Sequence, residues 1–172
     1  MVSSTSSQIT KWVNDQNWGL SLGATLNLRQ SLTAFDDRGR PFKIWLTDHD
    51  IDKSVKHFAN LINRSMFGNN WRRSDRRIAI FSIREKSNRH HVHLRLKVPT
   101  SRPTNLTDLK RQSDEIKRLE IAIRDCWKKL DWGYGSDYIS FADNGWTEYQ
   151  TKSRSKLNVP DSVIWDATSL PV

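Results

Sequence analysis

The chain predicts an α+β domain: a central, mostly antiparallel sheet of about five strands with flanking helices, in the order β-β-α-β-β-α-β-α. Three observations carry this expectation. From Leu20 to Arg29 apolar and polar residues alternate strictly, with Leu20, Leu22, Ala24, Leu26 and Leu28 on one side, the period of a half-buried strand. Arg77 to Glu85 and His91 to Val98 are two strand-like runs separated by the short polar turn Lys86 to Arg89, the spacing of a hairpin. Between and after these runs the apolar period lengthens to that of helices, at Ile51, Val55, Phe58, Ala59 and Ile62 and again at Ile116, Leu119, Ile123, Cys126 and Trp127.

In chain order, residues 1–10 are Ser/Thr-rich and read as a disordered lead-in to a single domain over 11–172. After the first strand, Asp36 to Pro41 forms a turn and Phe42 to Leu46 a second strand. Thr47 with Asp50 three residues on resembles a capping box, so a helix begins there and ends near Gly68. The hairpin follows, closed by Pro99, Arg102 and Pro103. A long helix then runs from about Ser113 to Leu130, Gly133 and Gly135 mark a turn, and Tyr138 to Phe141 makes a short strand. Asp143 or Asn144 caps a helix carrying Trp146 and Tyr149. The tail after Leu157 carries no assignment.

A length of 172 residues with 36% hydrophobic content suits one domain with a moderate core. No apolar run is long enough for a membrane span and the start lacks the apolar stretch of a signal peptide, so a cytoplasmic protein without a membrane partner is expected. Cys126 is the sole cysteine, which excludes an intrachain disulfide and a Cys-based zinc site. The net charge of +9 is concentrated: between Arg64 and Arg102 eleven Lys/Arg face only Asp75 and Glu85. Such a field attracts polyanions, with nucleic acid the leading partner.

Within that segment lies a candidate divalent-metal site. In a strand His91, His93, Arg95 and Lys97 share one face and Val92, Leu94, Leu96 and Val98 the other. Pairing centred on Asn88 sets Glu85 opposite His91, and opposed residues project to the same side. Two imidazoles and a carboxylate then converge, leaving positions open for a Lewis acid that polarises a phosphate. Arg84, Arg89, Arg95 and Lys97 surround the site as candidate nucleic-acid contacts. The register also sets Phe81 and Ile83 on the ligand face, so either a helix covers them or a bulge shifts the pairing. His90 reads as a rim group, and His49 and His57 as structural.

Tyr149 and Lys152, at i and i+3 of a helix, share a side with Trp146 one turn earlier. A phenol beside an ammonium is a candidate nucleophile for phosphoryl transfer, with Lys152 balancing charge. Tyr138 and Tyr134 read as strand and loop residues.

The early apolar strand, the Glu85 and His91-Val92-His93 pair, and the helix with Tyr149 and Lys152 fall in an order that resembles the HUH endonucleases, the rolling-circle replication initiators and relaxases of mobile elements, plasmids and phages. The likeness spans most of residues 18–156. It implies Mg²⁺ or Mn²⁺ held by Glu85, His91 and His93, and nicking and rejoining of a single-stranded DNA origin or hairpin. Tyr149 would keep a 5′-phosphotyrosyl link and release a 3′-hydroxyl. With one tyrosine on the motif helix, the single-tyrosine type is implied. No Gly-x-x-x-x-Gly-Lys-Ser/Thr loop occurs, so a helicase would be supplied in trans. The main rival is a non-catalytic basic module holding nucleic acid on the same sheet. A histidine-triad hydrolase is a weaker one, since Arg95 stands where the third histidine belongs.

Overall fold

The structure, a computed structural model, describes residues 5–86, 88–100, 103–152 and 159–171, apart from the side chains of 136 and 137. Strand β1 (Ser21–Leu28) lies at the centre of a four-stranded antiparallel sheet, ordered β4-β5-β1-β6, with β4 Ile80–Lys86, β5 His90–Lys97 and β6 Gly133–Phe141. Two further strands, β2 (Ser31–Phe35) and β3 (Pro41–Trp45), form a separate ribbon. The α+β class with an antiparallel sheet and flanking helices stands, the strands dividing as four and two.

One face of the sheet packs on α2 (Asp48–Phe67) and α3 (Leu106–Lys128). Leu22, Ala24, Leu26, Val92, Leu94 and Leu96 meet Val55, Phe58, Ile62, Leu119, Ile123 and Trp127 there. Phe58 and Trp127 cross edge to face at 5.6 Å, and the indole N–H of Trp127 donates to Asn27 O at 2.7 Å, so the large ring is buried with its polar atom satisfied. Cys126 lies in this core, where burial pushes its thiol pKa up. The capping box at Thr47 and Asp50 forms as expected, and α2 ends at Gly68, whose φ is +78°.

The opposite face carries a second, smaller core. Phe81 and Ile83 pack with Val13 and Trp18 from the N-terminal segment and with Val159 and Val163 from the tail. The β4–β5 register is unbroken, with Glu85 opposite His91 and Ile83 opposite His93. A helical cover, not a bulge, therefore accounts for the apolar residues on this face. That cover is α1 (Thr5–Asn14) together with the short α5 (Val159–Ser162).

This corrects the expected disordered lead-in for residues 5–10. Ile9 and Val13, one turn apart, give α1 an apolar side, and the second core gives it a place to dock. The tail is also ordered where described: Ser169 exchanges backbone hydrogen bonds with Ile80, at 2.6 and 2.7 Å, and Ile164 N–H donates to Ser82 O. It thus pairs with part of the otherwise open edge of β4.

Other bounds shift for local reasons. α3 starts at Leu106, well before Ser113, because Asn105 caps it by accepting from Asp108 N–H, while Leu106 and Leu109 stay exposed and leave no apolar period to read. β6 begins at Gly133, where the glycines predict a turn: its pairing with β1 shifts register twice, and Gly133 has no room for a Cβ against Trp127 O.

Truncating Phe81 tests the second core. Phe81→Ala is expected to cost about 3–5 kcal/mol in urea unfolding, whereas Phe141→Ala, at an exposed site, should change stability by less than about 0.5 kcal/mol. Equal small effects would mean that α1 and α5 do not cover the sheet.

Candidate metal centre

Alternation on β5 sends His91 and His93 to the face opposite the main core, and the pairing with β4 brings Glu85 beside them. Glu85 Oε2 lies 3.0 Å from His93 Nε2 and 3.9 Å from His91 Nε2. Ligand atoms of the three residues all fall within 4.8 Å of one another, so the cluster can hold a metal ion. The histidine rings stand edge to face at 4.9 Å. His93 is buried, while the His91 and Glu85 side chains keep 18% and 12% exposure, which leaves one side of the cluster open to solvent.

The second ring nitrogens decide whether the set fits a cation. His91 Nδ1 lies 3.2 Å from Arg89 O. A carbonyl only accepts, so Nδ1 donates there and Nε2 is the nitrogen left to face Glu85 and a metal ion. His93 Nδ1 lies 3.0 Å from Thr25 Oγ1 on the neighbouring strand. That hydroxyl donates or accepts, so His93 Nε2 can be an N–H toward Glu85 or a free lone pair toward a metal. Each imidazole thus has the outer partner that orients a metal-binding histidine.

Beside the cluster stands α4 (Asn144–Thr151), capped by Asp143, whose Oδ1 accepts from Trp146 N–H at 3.0 Å. Trp146 packs closely over β1 because position 23 is glycine: a Cβ there would fall 2.5 Å from the indole. Its N–H donates to Leu94 O at 3.0 Å. The Tyr149 ring then meets the His93 ring edge to face at 5.2 Å, and Lys152 Nζ sits 5.5 Å from the Tyr149 ring centre. Lys152 lies just past the helix end, as its C-cap. Tyr138 is one ring further out, stacked on Trp146 at 6.1 Å, and Tyr134 is exposed at the start of β6. A cavity of about 510 Å³ opens here, lined by Thr25, Tyr138, Phe141, Asp143, Trp146 and Tyr149 among others.

The four candidate nucleic-acid contacts separate. Arg89 is exposed beside His91. Arg84 faces the other way and is engaged by Asp52 at 2.7 Å and by Asp161 O. Lys97 donates to Asn17 O at the far end of β5. Arg95 is buried and is no surface contact: it donates to Ser21 Oγ, Asn14 Oδ1 and Thr147 Oγ1 and lies over Trp18 at 4.8 Å. Burial lowers its pKa from the ordinary arginine value, and the charge of Asp143 opposes that shift. His90 is on the opposite face at the rim, its backbone N–H bonded to Gln30 Oε1, and burial, then Lys86, lowers its pKa.

Thr25, Gly23 and Thr147 escape notice in the sequence, yet each positions a site residue. Thr25 and Gly23 sit among the polar positions of β1's alternation, which is the signal that puts them on the ligand face.

Isothermal titration with Mn²⁺ checks the centre. Glu85→Ala and His93→Ala should abolish binding, and Thr25→Val should weaken it by about 10–100-fold through loss of the oriented imidazole. Unchanged affinity in Glu85→Ala would remove the cluster from consideration. No protein-family model matches this chain, and no curated protein or solved structure matches it either.

Proposed function

We propose that this protein is a metal-dependent nuclease and strand transferase that cuts and rejoins single-stranded DNA through a tyrosyl-phosphate link. The reading follows the resemblance to HUH endonucleases. The observation that carries it is the contact of the Tyr149 ring with His93, itself 3.0 Å from Glu85, which sets a phenol against a group that can hold a cation.

Glu85, His91 and His93 would hold the ion, and when bound it supplies Lewis-acid polarisation of the scissile phosphate. Two imidazole donors favour Mn²⁺ over Mg²⁺ in affinity, since Mg²⁺ prefers an all-oxygen shell. Tyr149 Oη attacks phosphorus, the bond from phosphorus to the 3′-oxygen breaks, and the DNA stays joined to the protein by a 5′-phosphotyrosyl ester. The phenol proton passes to water and the departing 3′-oxygen takes one up. Lys152 places a positive charge over the phenol ring, where it helps balance the negative charge of the reacting phosphate. Attack by a 3′-hydroxyl on the same ester reverses these steps and rejoins the strand. The exposed rings of Tyr138 and Phe141 beside the cavity offer stacking surfaces for flanking bases. Mobile-element replication or transfer, with a separate helicase, is the process such chemistry serves.

The rival reading, a binding module without catalysis, shares the charge and the stacking surfaces but gives the Glu85 cluster no role. The two part in one assay: protein, Mn²⁺ and single-stranded DNA from its own genetic element, followed by denaturing electrophoresis. A covalent adduct is expected with the wild type. It should be absent in Tyr149→Phe, which should still bind Mn²⁺, and absent with chelator. Tight DNA binding with no adduct on the proper origin would leave the binding module as the function.

A further inference from the structure

Among the described basic residues of segment 64–102, Lys86 and Arg89 are exposed at the hairpin beside the metal cluster, and the others are not. Arg84, Arg95 and Lys97 are engaged within the fold. The exposed cations lie mainly at the other end of the sheet, where α2 ends and the loop 68–77 leads into β4. Arg64, Arg72, Arg73, Arg76 and Arg77 are all exposed there, with Asp75 the one carboxylate in that stretch of sequence. Glu85 is five residues along β4 from Ile80, which puts this loop about 17 Å or more from the metal cluster at the usual strand rise.

The loop is built, not merely charged. Arg73 N–H and Ser74 N–H both donate to Asn70 O, and Arg76 N–H donates to Trp71 O at 3.1 Å. Ser74 Oγ also reaches Asn70 O and Trp71 O. Asp75 closes the turn at a positive φ of 49° and holds Arg77 at 2.9 Å. Two guanidiniums rest on aromatic rings, Arg72 on Trp71 at 5.0 Å and Arg76 on Phe67 at 4.9 Å. Both arginines remain exposed, and Arg72 is further anchored by donating from Nη2 to Asn60 Oδ1 at 3.3 Å. On the neighbouring helix Arg111 and Arg118 line a cavity of about 230 Å³ with Arg76, but Asp108 and Glu115 line it too and Arg118 is held by Glu115 and Met66 O, so the unbalanced charge stays on the loop.

We propose that this arginine loop is a second nucleic-acid contact, binding the phosphate backbone of a strand well away from the metal cluster. Every cation of the loop is arginine, whose planar fork matches phosphate bidentately and whose charge does not titrate. Backbone contacts position a nucleic acid without reading its sequence, so the loop lengthens the footprint and leaves selectivity to the cluster end. The proposal rests on nucleic acid being the partner, as under the proposed function, but not on the cutting chemistry.

Fluorescence anisotropy with the full chain tests it, using labelled oligothymidylates of about 30 and about 8 nucleotides over a range of salt. The triple variant Arg72→Ala, Arg73→Ala, Arg76→Ala should bind the long probe more weakly. The slope of log affinity against log salt should flatten by roughly 2, at about 0.7 for each single-strand phosphate no longer neutralised. The triple variant Arg72→Lys, Arg73→Lys, Arg76→Lys should keep most of the slope, because charge is retained. Binding of the short probe and the Mn²⁺-dependent adduct should match the wild type. An unchanged slope on the long probe would overturn the proposal, as would loss of binding to acidic lipid vesicles in place of the oligonucleotide. Absence of an adduct in the wild type would strike the cutting chemistry and leave the slope test intact.

Discussion

The positions of α1 and α4 on the ligand face depend on one buried guanidinium. Arg95 stands on β5 next to the metal cluster and is almost entirely withdrawn from water. A charge in that position is costly unless its donors are met. They are met by Ser21 at the start of β1, Asn14 at the end of α1 and Thr147 in α4, with Trp18 beneath the plane. Displacing any of these elements strands an N–H in a dry site. The arrangement of α1 and α4 is thus fixed by polar satisfaction as much as by apolar burial, and Tyr149 lies two residues beyond Thr147 on the same helix.

Much of this is legible in the sequence and some is not, for physical reasons that differ by residue. The alternation of β1 and β5, the capping box at Thr47 and the facing of Glu85 and His91 follow from local periods and pairing rules. α1 and the first turns of α3 do not, because a largely polar helix carries its period weakly. Alternation alone makes Arg95 a surface cation, because it names a face but not what covers it. The apolar pair Phe81 and Ile83 holds the missing information: two large hydrophobic residues on a supposedly wet face require a cover.

The cluster itself is a product of the same two-sided sheet. Its ligands come from adjacent strands in an antiparallel hairpin, whose register is held on the far face by Val92, Leu94 and Leu96. A one-residue slip would send both histidines into the main core, so the apolar side of β5 enforces the geometry of the polar side. Most of the exposed arginines of segment 64–102 are set apart from this centre, at the opposite end of the sheet.

The attachment of α4 has a mechanical consequence. α4 is held to the sheet by Trp146, seated over Gly23, and by the bond from Arg95 to Thr147, and it is tied to α1 by Thr151, whose carbonyl accepts from Ser6 Oγ and whose hydroxyl lies 2.5 Å from Thr10 Oγ1. If Tyr149 carries a DNA strand, tension on that strand is borne by these three moorings in parallel. The N-terminal helix then acts as a guy-line, sharing a load that would otherwise fall wholly on the strands that carry the metal ligands.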